Sequence, residues 1–219
     1  MNLALRLAEP ADAAGILAIY APIVRETAIS FELEPPGEEE MRRRIETTLE
    51  KRPWLVCTAG GGSIAGYAYA SSWRERAAYR WTVETTVYVH PDHQRRGVAS
   101  GLYTALLAAL RAQGFATVLA GIALPNPASV GFHEGFGFQW IGIYRSVGYK
   151  FGAWHDVGWL QLPLREKLGE PAAPCQTAVL FTKPEWQEAL RAGLSRLSLS
   201  GSASAGGSPP ASGAGRPCP

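Results

Sequence analysis

Cysteine is scarce in this chain and never paired. The 219 residues hold three, Cys57, Cys175 and Cys218, far apart and without the short repeated spacing of metal ligands. That argues against a disulfide framework and a zinc site, so no metal is expected and a reducing compartment is. Also missing is any apolar run long enough to cross a bilayer. The N-terminal stretch MNLALRLAEPADAAGILAIY is broken by Glu9, Pro10 and Asp12 before it reaches the length of a signal-peptide core. Neither charge sign is in excess, since 21 Lys and Arg stand against 19 Asp and Glu, a formal net charge of +2. A nucleic-acid binder would carry a basic face with interleaved aromatics, and the composition points to none. The expectation is a soluble, cytoplasmic protein with no membrane and no nucleic acid among its partners.

Two phosphate-binding patterns are absent as well. There is no G-x-x-x-x-G-K-[ST], and Gly60-Gly61-Gly62-Ser63 lacks both the G-x-G-x-x-G spacing and a following helix. No serine or cysteine stands at a strand-to-helix elbow, so the adjacent His155 and Asp156 are read as structural rather than as part of a triad.

What is present suffices for one buried core and an appendage, because 47% of the residues are hydrophobic. LALRLA alternates as a strand does, and Ile16, Ile19, Tyr20 and Ile23 then recur at helical spacing behind Pro10. ISFEL reads as a short extended piece, and Met41, Ile45 and Leu49 as the buried stripe of a charged helix. PWLVCTA and IAGYAYASSW flank a glycine-rich turn as a hairpin. RWTVETTVYVH, β-branched and aromatic, suits a central strand. Leu102, Leu106 and Leu110 mark one face of a long helix that stops at Gln113-Gly114. A buried strand ATVLAGIAL, a short helix in NPASVGFHEGFGF and two closing strands complete the pattern. The alternation predicts a mixed α/β domain over residues 1–164. Residues 165–197 read as linker with a short amphipathic helix through Trp186, Leu190, Leu194 and Leu197. Residues 198–219, dominated by Ser, Gly, Pro and Ala, have little to bury and read as a disordered tail.

The stretch HPDHQRRGVASGLYTALLAAL raises the first functional question. A helix starting after Gly97 leaves its first N–H groups without intrahelical acceptors, at the positive end of the helix dipole. Gly97 lets the backbone come close to a ligand, Ala99 keeps the first turn small, and Arg95 and Arg96 add charge. The stretch suits a pyrophosphate. A solvated basic turn capping an ordinary helix fits it as well.

Gln94-x-x-Gly97-x-Ala99, between a β-branched strand and a long helix, resembles the acetyl-CoA signature [QR]-x-x-G-x-[GA] of the GNAT superfamily of N-acetyltransferases. The segments PWLVC, GYAYASSWRERAAYRWTVETTVYVHPDHQRRGVASGLYTALL, LPNPASVGFHEGFGF and GYKFGAWHDVGWLQL resemble, in order and spacing, the phosphinothricin and methionine sulfoximine acetyltransferases. The similarity spans residues 3–164 and leaves out the C-terminal segment. It implies a GNAT fold, with a mixed sheet splayed where acetyl-CoA enters, and a homodimer. It also implies transfer of acetyl from acetyl-CoA, a cosubstrate, to the α-amino group of a small amino acid of the phosphinothricin, methionine sulfone or methionine sulfoximine type. Transfer to a peptide or protein amine, and an acetyl-CoA sensor without catalysis, remain open alternatives.

The resemblance also implies roles. The backbone of Val87, Tyr88 and Val89 would run beside the pantetheine arm. Arg95, Arg96, Gly97, Val98, Ala99 and Ser100 would cradle the pyrophosphate, and the side chain of Asn126 would hold a pantetheine amide. Ala99 stands where many relatives have glycine. Amine acetylation needs a free lone pair, and an α-ammonium must first lose a proton, so a base is required. Glu84 stands at the family's catalytic glutamate, on a strand face with Thr82, Thr86 and Tyr88, where desolvation beside Trp81 would raise its pKa. His133 occupies the position from which a donor would serve the departing thiolate, and packing against Phe132 and Phe136 is its other reading. Arg74 and Arg76 alternate onto one face of an extended chain where they could hold carboxylate and a second acidic group, with Tyr79 beside them.

Overall fold

The computed structural model describes residues 3–166 and 169–202, without the side chains of 198–202. Thirteen helices and strands follow in the order β1 (Ala4–Leu7), α1 (Ala13–Glu26), α2 (Glu38–Leu49), β2 (Trp54–Thr58), β3 (Ile64–Ser72), β4 (Thr82–Val89), α3 (Val98–Gln113), β5 (Thr117–Leu124), α4 (Pro127–Gly135), β6 (Gln139–Lys150), β7 (Ala153–Pro163), α5 (Thr177–Phe181) and α6 (Pro184–Ser202). The strands form one sheet in the order β1-β2-β3-β4-β5-β7-β6. Its pairs are antiparallel except β4 and β5, which α3 connects as a crossover.

That single parallel pair positions the site. β4 and β5 are in register only from Thr82, Val83 and Glu84 to Thr117, Val118 and Leu119. Beyond Glu84, β4 continues to pair with β3 on its other side, Thr86 opposite Tyr69 and Tyr88 opposite Tyr67. β5 meanwhile stays with β7 as far as Leu124 and Asp156. The two strands thus separate into a cleft whose apex is Glu84.

Strand alternation divides the core in two. One face carries Leu55, Ala68, Ala70 and Val83, packed on Leu102, Tyr103, Leu106 and Leu110 of α3. The other carries Trp54, Val56 and Tyr67 against Ile16, Ile19 and Val24 of α1 and Met41 and Ile45 of α2. Burying each Leu or Ile contributes about 1.5–3 kcal/mol, so the apolar periods of the three helices are what fix them to the sheet. The α3 helix ends where Gly114 takes a left-handed conformation, φ 98°, and its N–H bonds back to Arg111 and Leu110. At the other end, Arg6 forks onto both oxygens of Asp12 at 2.7 Å and ties β1 to the entrance of α1. Burial pushes the Asp12 carboxyl up, but the Arg6 bonds and the Glu9 N–H outweigh it and the pKa falls below its usual value.

Two regions differ from the sequence expectation. ISFEL joins no ladder: residues 28–34 form bends and irregular backbone between α1 and α2. The segment is held by side chains instead, with the hydroxyls of Tyr20 and Ser30 2.8 Å apart. The segment after Leu164 is more than linker, because Leu180, Trp186, Ala189 and Leu197 enter the same buried cluster as α3. α3 and α6 touch backbone to backbone, since a Cβ on Gly193 would lie 2.5 Å from the carbonyl oxygen of Gly101. α6 runs to Ser202, past the expected boundary at 197, and the expected tail from 203 to 219 lies outside the described residues.

Candidate active site

Glu84 faces the apex of the cleft because β4 alternates. Val83 and Thr85 turn to the α3 side and are buried, while Glu84, Thr86 and Tyr88 turn to the α1 side, as the sequence pattern predicts. Across the apex, Gly121 of β5 pairs with Trp159 of β7. The absence of a side chain at Gly121 matters: a Cβ there would sit 2.9 Å from the Trp159 ring and 3.3 Å from Glu84 Oε1. The indole therefore lies across β5 toward the carboxylate. Among the described residues Glu84 has no hydrogen-bond or ion-pair partner, and burial alone raises its pKa. The aromatic expected to desolvate it, Trp81, does something else, since its Nε1–H bonds to Ala172 O at 2.8 Å. On β7, Trp159 brings an indole to the same position beside Gly121 that Glu84 approaches from β4.

The cleft above Glu84 is lined by Ile29, by Thr85 to Tyr88 on one wall, by Ala120 to Ala123 on the other, and by Asn126, Ser129 and His133. Val87, Tyr88 and Asn126, three of the expected cofactor positions, are among these residues. Val89 continues the same strand edge beyond the stretch that pairs with β5. Asn126 caps α4, its Oδ1 accepting from Ser129 N at 3.1 Å, which leaves its NH₂ available to donate.

At the far end of β4 the chain turns through Gln94, Arg95 and Arg96 to Gly97, which takes φ 77° as N-cap of α3. A residue with a Cβ is strained in that conformation. The first helical bond runs from Gly101 N to Gly97 O at 2.7 Å, so the N–H groups of Val98, Ala99 and Ser100 have no acceptor within the helix. Arg95 and Arg96 are exposed on the same turn.

His133 is 5% exposed and stands edge-on to Tyr103, Phe132 and Phe138. Its Nδ1 is 2.8 Å from Ser129 O, and a carbonyl only accepts, so Nδ1 carries the proton and donates. Burial lowers the pKa, and the backbone bond to Ser129 opposes it only in part. In the neutral ring Nε2 is then an acceptor, and donation to a thiolate from Nε2 would require the imidazolium that burial disfavours.

Arg74, Arg76 and Tyr79 come together with Trp73 around one open concavity in the β3–β4 connection. Arg74 stacks on Trp73 at 4.9 Å, and Trp73 meets Trp159 edge-on at 4.6 Å, so Arg74 is linked to the apex through two indoles. Arg74, Arg76 and Tyr79 also line a second concavity, with Lys51, Arg52 and Phe115. Trp73, Trp159 and Ile29 went unnoticed in the sequence. An alternation pattern gives Trp159 its face, but nothing in the sequence says which strand lies next to β5.

The closing strands expose aromatic surface: Trp154 is 65% and Phe151 61% accessible, near Tyr149 and Tyr144. His155 and Asp156 hold that ribbon together, His155 Nε2 donating to Lys150 O at 3.0 Å and Asp156 accepting from Arg145 and from Ser146 N. Among the described residues no group of three or more His, Cys, Asp or Glu is placed to hold a metal, and no helix is long and apolar enough to cross a membrane.

Comparison with known proteins agrees with this geometry. Residues 5–159 match the model of the acetyltransferase (GNAT) domain. The phosphinothricin N-acetyltransferase of Streptomyces viridochromogenes is 45% identical over 157 residues, 72% of this chain and 85% of that protein. The L-methionine sulfoximine/L-methionine sulfone acetyltransferase of Pseudomonas aeruginosa is 36% identical over 165 residues, 75% of this chain and 96% of that protein. Among solved structures, a phosphinothricin acetyltransferase from Sinorhizobium meliloti in complex with AcCoA superposes with a TM-score of 0.74 at 34% identity, covering 78% of this chain and 94% of that one.

Proposed function

Because the chain belongs to the GNAT acetyltransferase family, we propose that it moves the acetyl group of acetyl-CoA to the α-amino group of a small amino-acid-like acceptor. Phosphinothricin, methionine sulfone and methionine sulfoximine are the acceptor types, after the named activities of the relatives. The observation that carries this reading is Glu84, a desolvated carboxylate without a partner at the apex where β4 and β5 part.

The residues present fit the cosubstrate. β4 beyond Glu84 has no ladder partner on its β5 side among the described residues, and Val87, Tyr88 and Val89 could bond a pantetheine arm as an added strand would. Asn126 has donors left for an amide. Val98, Ala99 and Ser100 offer free N–H groups, with Gly97, Arg95 and Arg96, to a pyrophosphate.

In the reaction Glu84 accepts a proton from the acceptor's ammonium. The freed lone pair forms the C–N bond to the thioester carbon, the C–S bond breaks, the sulfur leaves with its electron pair, and the proton the nitrogen sheds in becoming an amide goes to that sulfur. Overall one ammonium and one thioester give one amide, one thiol and one proton. His133 shapes the cleft wall through its aromatic neighbours and its bond to Ser129. Arg74, with Arg76 and Tyr79 at the rim, would attract the acceptor's carboxylate.

The aromatic surface of β6 and β7 suits a second copy of the chain, giving a homodimer. The free thiols Cys57 and Cys175 and the use of acetyl-CoA suit the cytoplasm, and acetylation of phosphinothricin there would confer herbicide resistance.

A thiol-release assay tests the reading, with acetyl-CoA and a panel of phosphinothricin, methionine sulfone, methionine sulfoximine, proteinogenic amino acids and short peptides. Saturable release with the glutamate- and methionine-like compounds is expected. Release with peptides alone would move the function to protein acetylation, and acetyl-CoA binding without release would make the protein a sensor.

A further inference from the structure

Lys150 is 4% exposed and makes no salt bridge among the described residues; Glu32 is the carboxylate whose charge favours its ammonium, from beyond ion-pair distance. A buried ammonium is costly unless its donors are used. Two of the three are, since Nζ donates to Val24 O and to Ser30 O, each at 2.7 Å. Val24 lies in the last turn of α1, where carbonyls have no intrahelical donor and where a cation complements the dipole. Ser30 belongs to the irregular segment that follows. The ammonium at the end of β6 therefore joins two points that flank residues 27–29.

Three further contacts act on the same segment. The Ser30 hydroxyl is held by Tyr20 at 2.8 Å. The Phe31 ring occupies the space where a Cβ on Gly148 would stand, so a glycine two residues before Lys150 is what admits it. His155 fixes the Lys150 carbonyl from β7. Between these fixed points Ile29 faces the cleft beside Thr85 to Tyr88. The segment has no ladder or helix of its own, so its placement depends on side chains.

We infer that Lys150 is a positioning residue for acceptor binding: by bonding Val24 and Ser30 it sets residues 27–31, and Ile29 with them, as the roof of the cleft above Glu84. The inference rests on the proposed acetyl transfer for its kinetic consequence, though not for its structural one. The cleft it roofs also takes the pantetheine arm through Val87, Tyr88 and Asn126, but acetyl-CoA has a second anchor in the pyrophosphate turn at the other end of β4, so losing the roof should weaken binding of the smaller acceptor more than that of acetyl-CoA.

The full-length Lys150→Met variant, which keeps the length and removes the donors, provides the test. Two readouts are needed. Amide hydrogen exchange of Thr27 and Ile29, the amides of 27–31 that are hydrogen-bonded, is expected to quicken at least about tenfold while β2 and β3 stay unchanged. The acceptor KM, measured with whichever acceptor the parent enzyme uses, is expected to rise about tenfold with the acetyl-CoA KM moving less than about threefold. Lys150→Gln, which retains two N–H donors, should recover part of both effects. If Lys150→Met does not fold, Gly148→Ala displaces Phe31 with the lysine intact and should give the same split. Unchanged exchange at Thr27 and Ile29, an unmoved acceptor KM, or equal changes in both KM values would each overturn the inference. A parent enzyme that acetylates no acceptor would sink the proposed function, and the exchange readout would still decide whether Lys150 holds the roof.

Discussion

The two faces of the sheet are built from different materials. The α3 face is the less polar one: Leu102, Leu106, Leu110, Ala68 and Ala70 are wholly buried, rings of Tyr103, Phe132, Phe136 and Phe138 cluster beside them around His133, and Tyr103 bonds Thr85 at 2.6 Å. The α1 face is aromatic and polar, with Trp54 stacked on Tyr69 at 4.1 Å, Tyr20 and Tyr88 at 5.6 Å, and the Glu84 carboxylate on the same side. Burial pushes the Tyr20 hydroxyl up to about 12 despite its bond to Ser30. Close packing of aliphatic groups holds the strands at a fixed separation, whereas aromatic rings with polar tips leave shaped space and dipoles that a polar acceptor can use. One face keeps the cleft open at a set angle, and the other gives it chemistry.

The largest expected effect separates activity from stability on the α1 face. Glu84→Gln should lower kcat about 10²–10⁴-fold at neutral pH, the range of a lost general base, with the deficit shrinking as pH rises and free amine accumulates. Because the folded pKa of Glu84 is raised, its contribution to stability is present below the unfolded carboxylate pKa and is lost as pH rises through the folded value. At neutral pH the charge opposes folding. The same variant should therefore melt above the parent at pH 7, and the difference should vanish in acid. A fall in both activity and melting temperature would break the division between the faces.

On the α3 face the order of effects reverses. Leu106→Ala should cost about 2–5 kcal/mol in denaturant unfolding, as for other fully buried leucines, and leave both KM values of the remaining folded enzyme near those of the parent. Gly193→Ala forces apart the α3–α6 contact, where a Cβ would also come 2.9 Å from that of Ala105, and about 1–3 kcal/mol of destabilisation is expected. The smallest change is Tyr103→Phe. It removes one buried bond to Thr85 for about 1 kcal/mol, and the Thr85 hydroxyl keeps only the weaker contact to Leu119 O at 3.5 Å. A kinetic effect from Tyr103→Phe beyond that on stability would show that the α3 face tunes the cleft through Thr85 and His133, which Tyr103 touches and which line it.

Legibility in the sequence followed the range of the interactions. Leu102, Leu106 and Leu110 announce α3 at spacing four, Gly97 and Gly114 announce its ends, and alternation along RWTVETTVYVH places Glu84 opposite Val83 and Thr85. Each is a statement about residues within one or two turns of one another. ISFEL reads as a short extended piece, and its place depends instead on long-range side-chain bonds such as Tyr20 to Ser30 and Lys150 to Ser30 O, which no local pattern encodes. The linker was undervalued for a similar reason. Its helix was visible at Trp186, Leu190 and Leu194, while the glycine contact that seats it on Gly101 joins residues far apart in the chain.

The sequence alone therefore determined the mixed α/β class, the helix-entrance turn at Gly97, and the face on which Glu84 stands, because periodicity and local backbone preference decide these. Only the tertiary structure decided that Trp159 of β7 comes up to Glu84 across Gly121, that His133 spends its Nδ1 proton on Ser129, and that Lys150 reaches back to Val24 and Ser30. Strand order and loop placement depend on which distant surfaces fit together, and no local pattern encodes that choice.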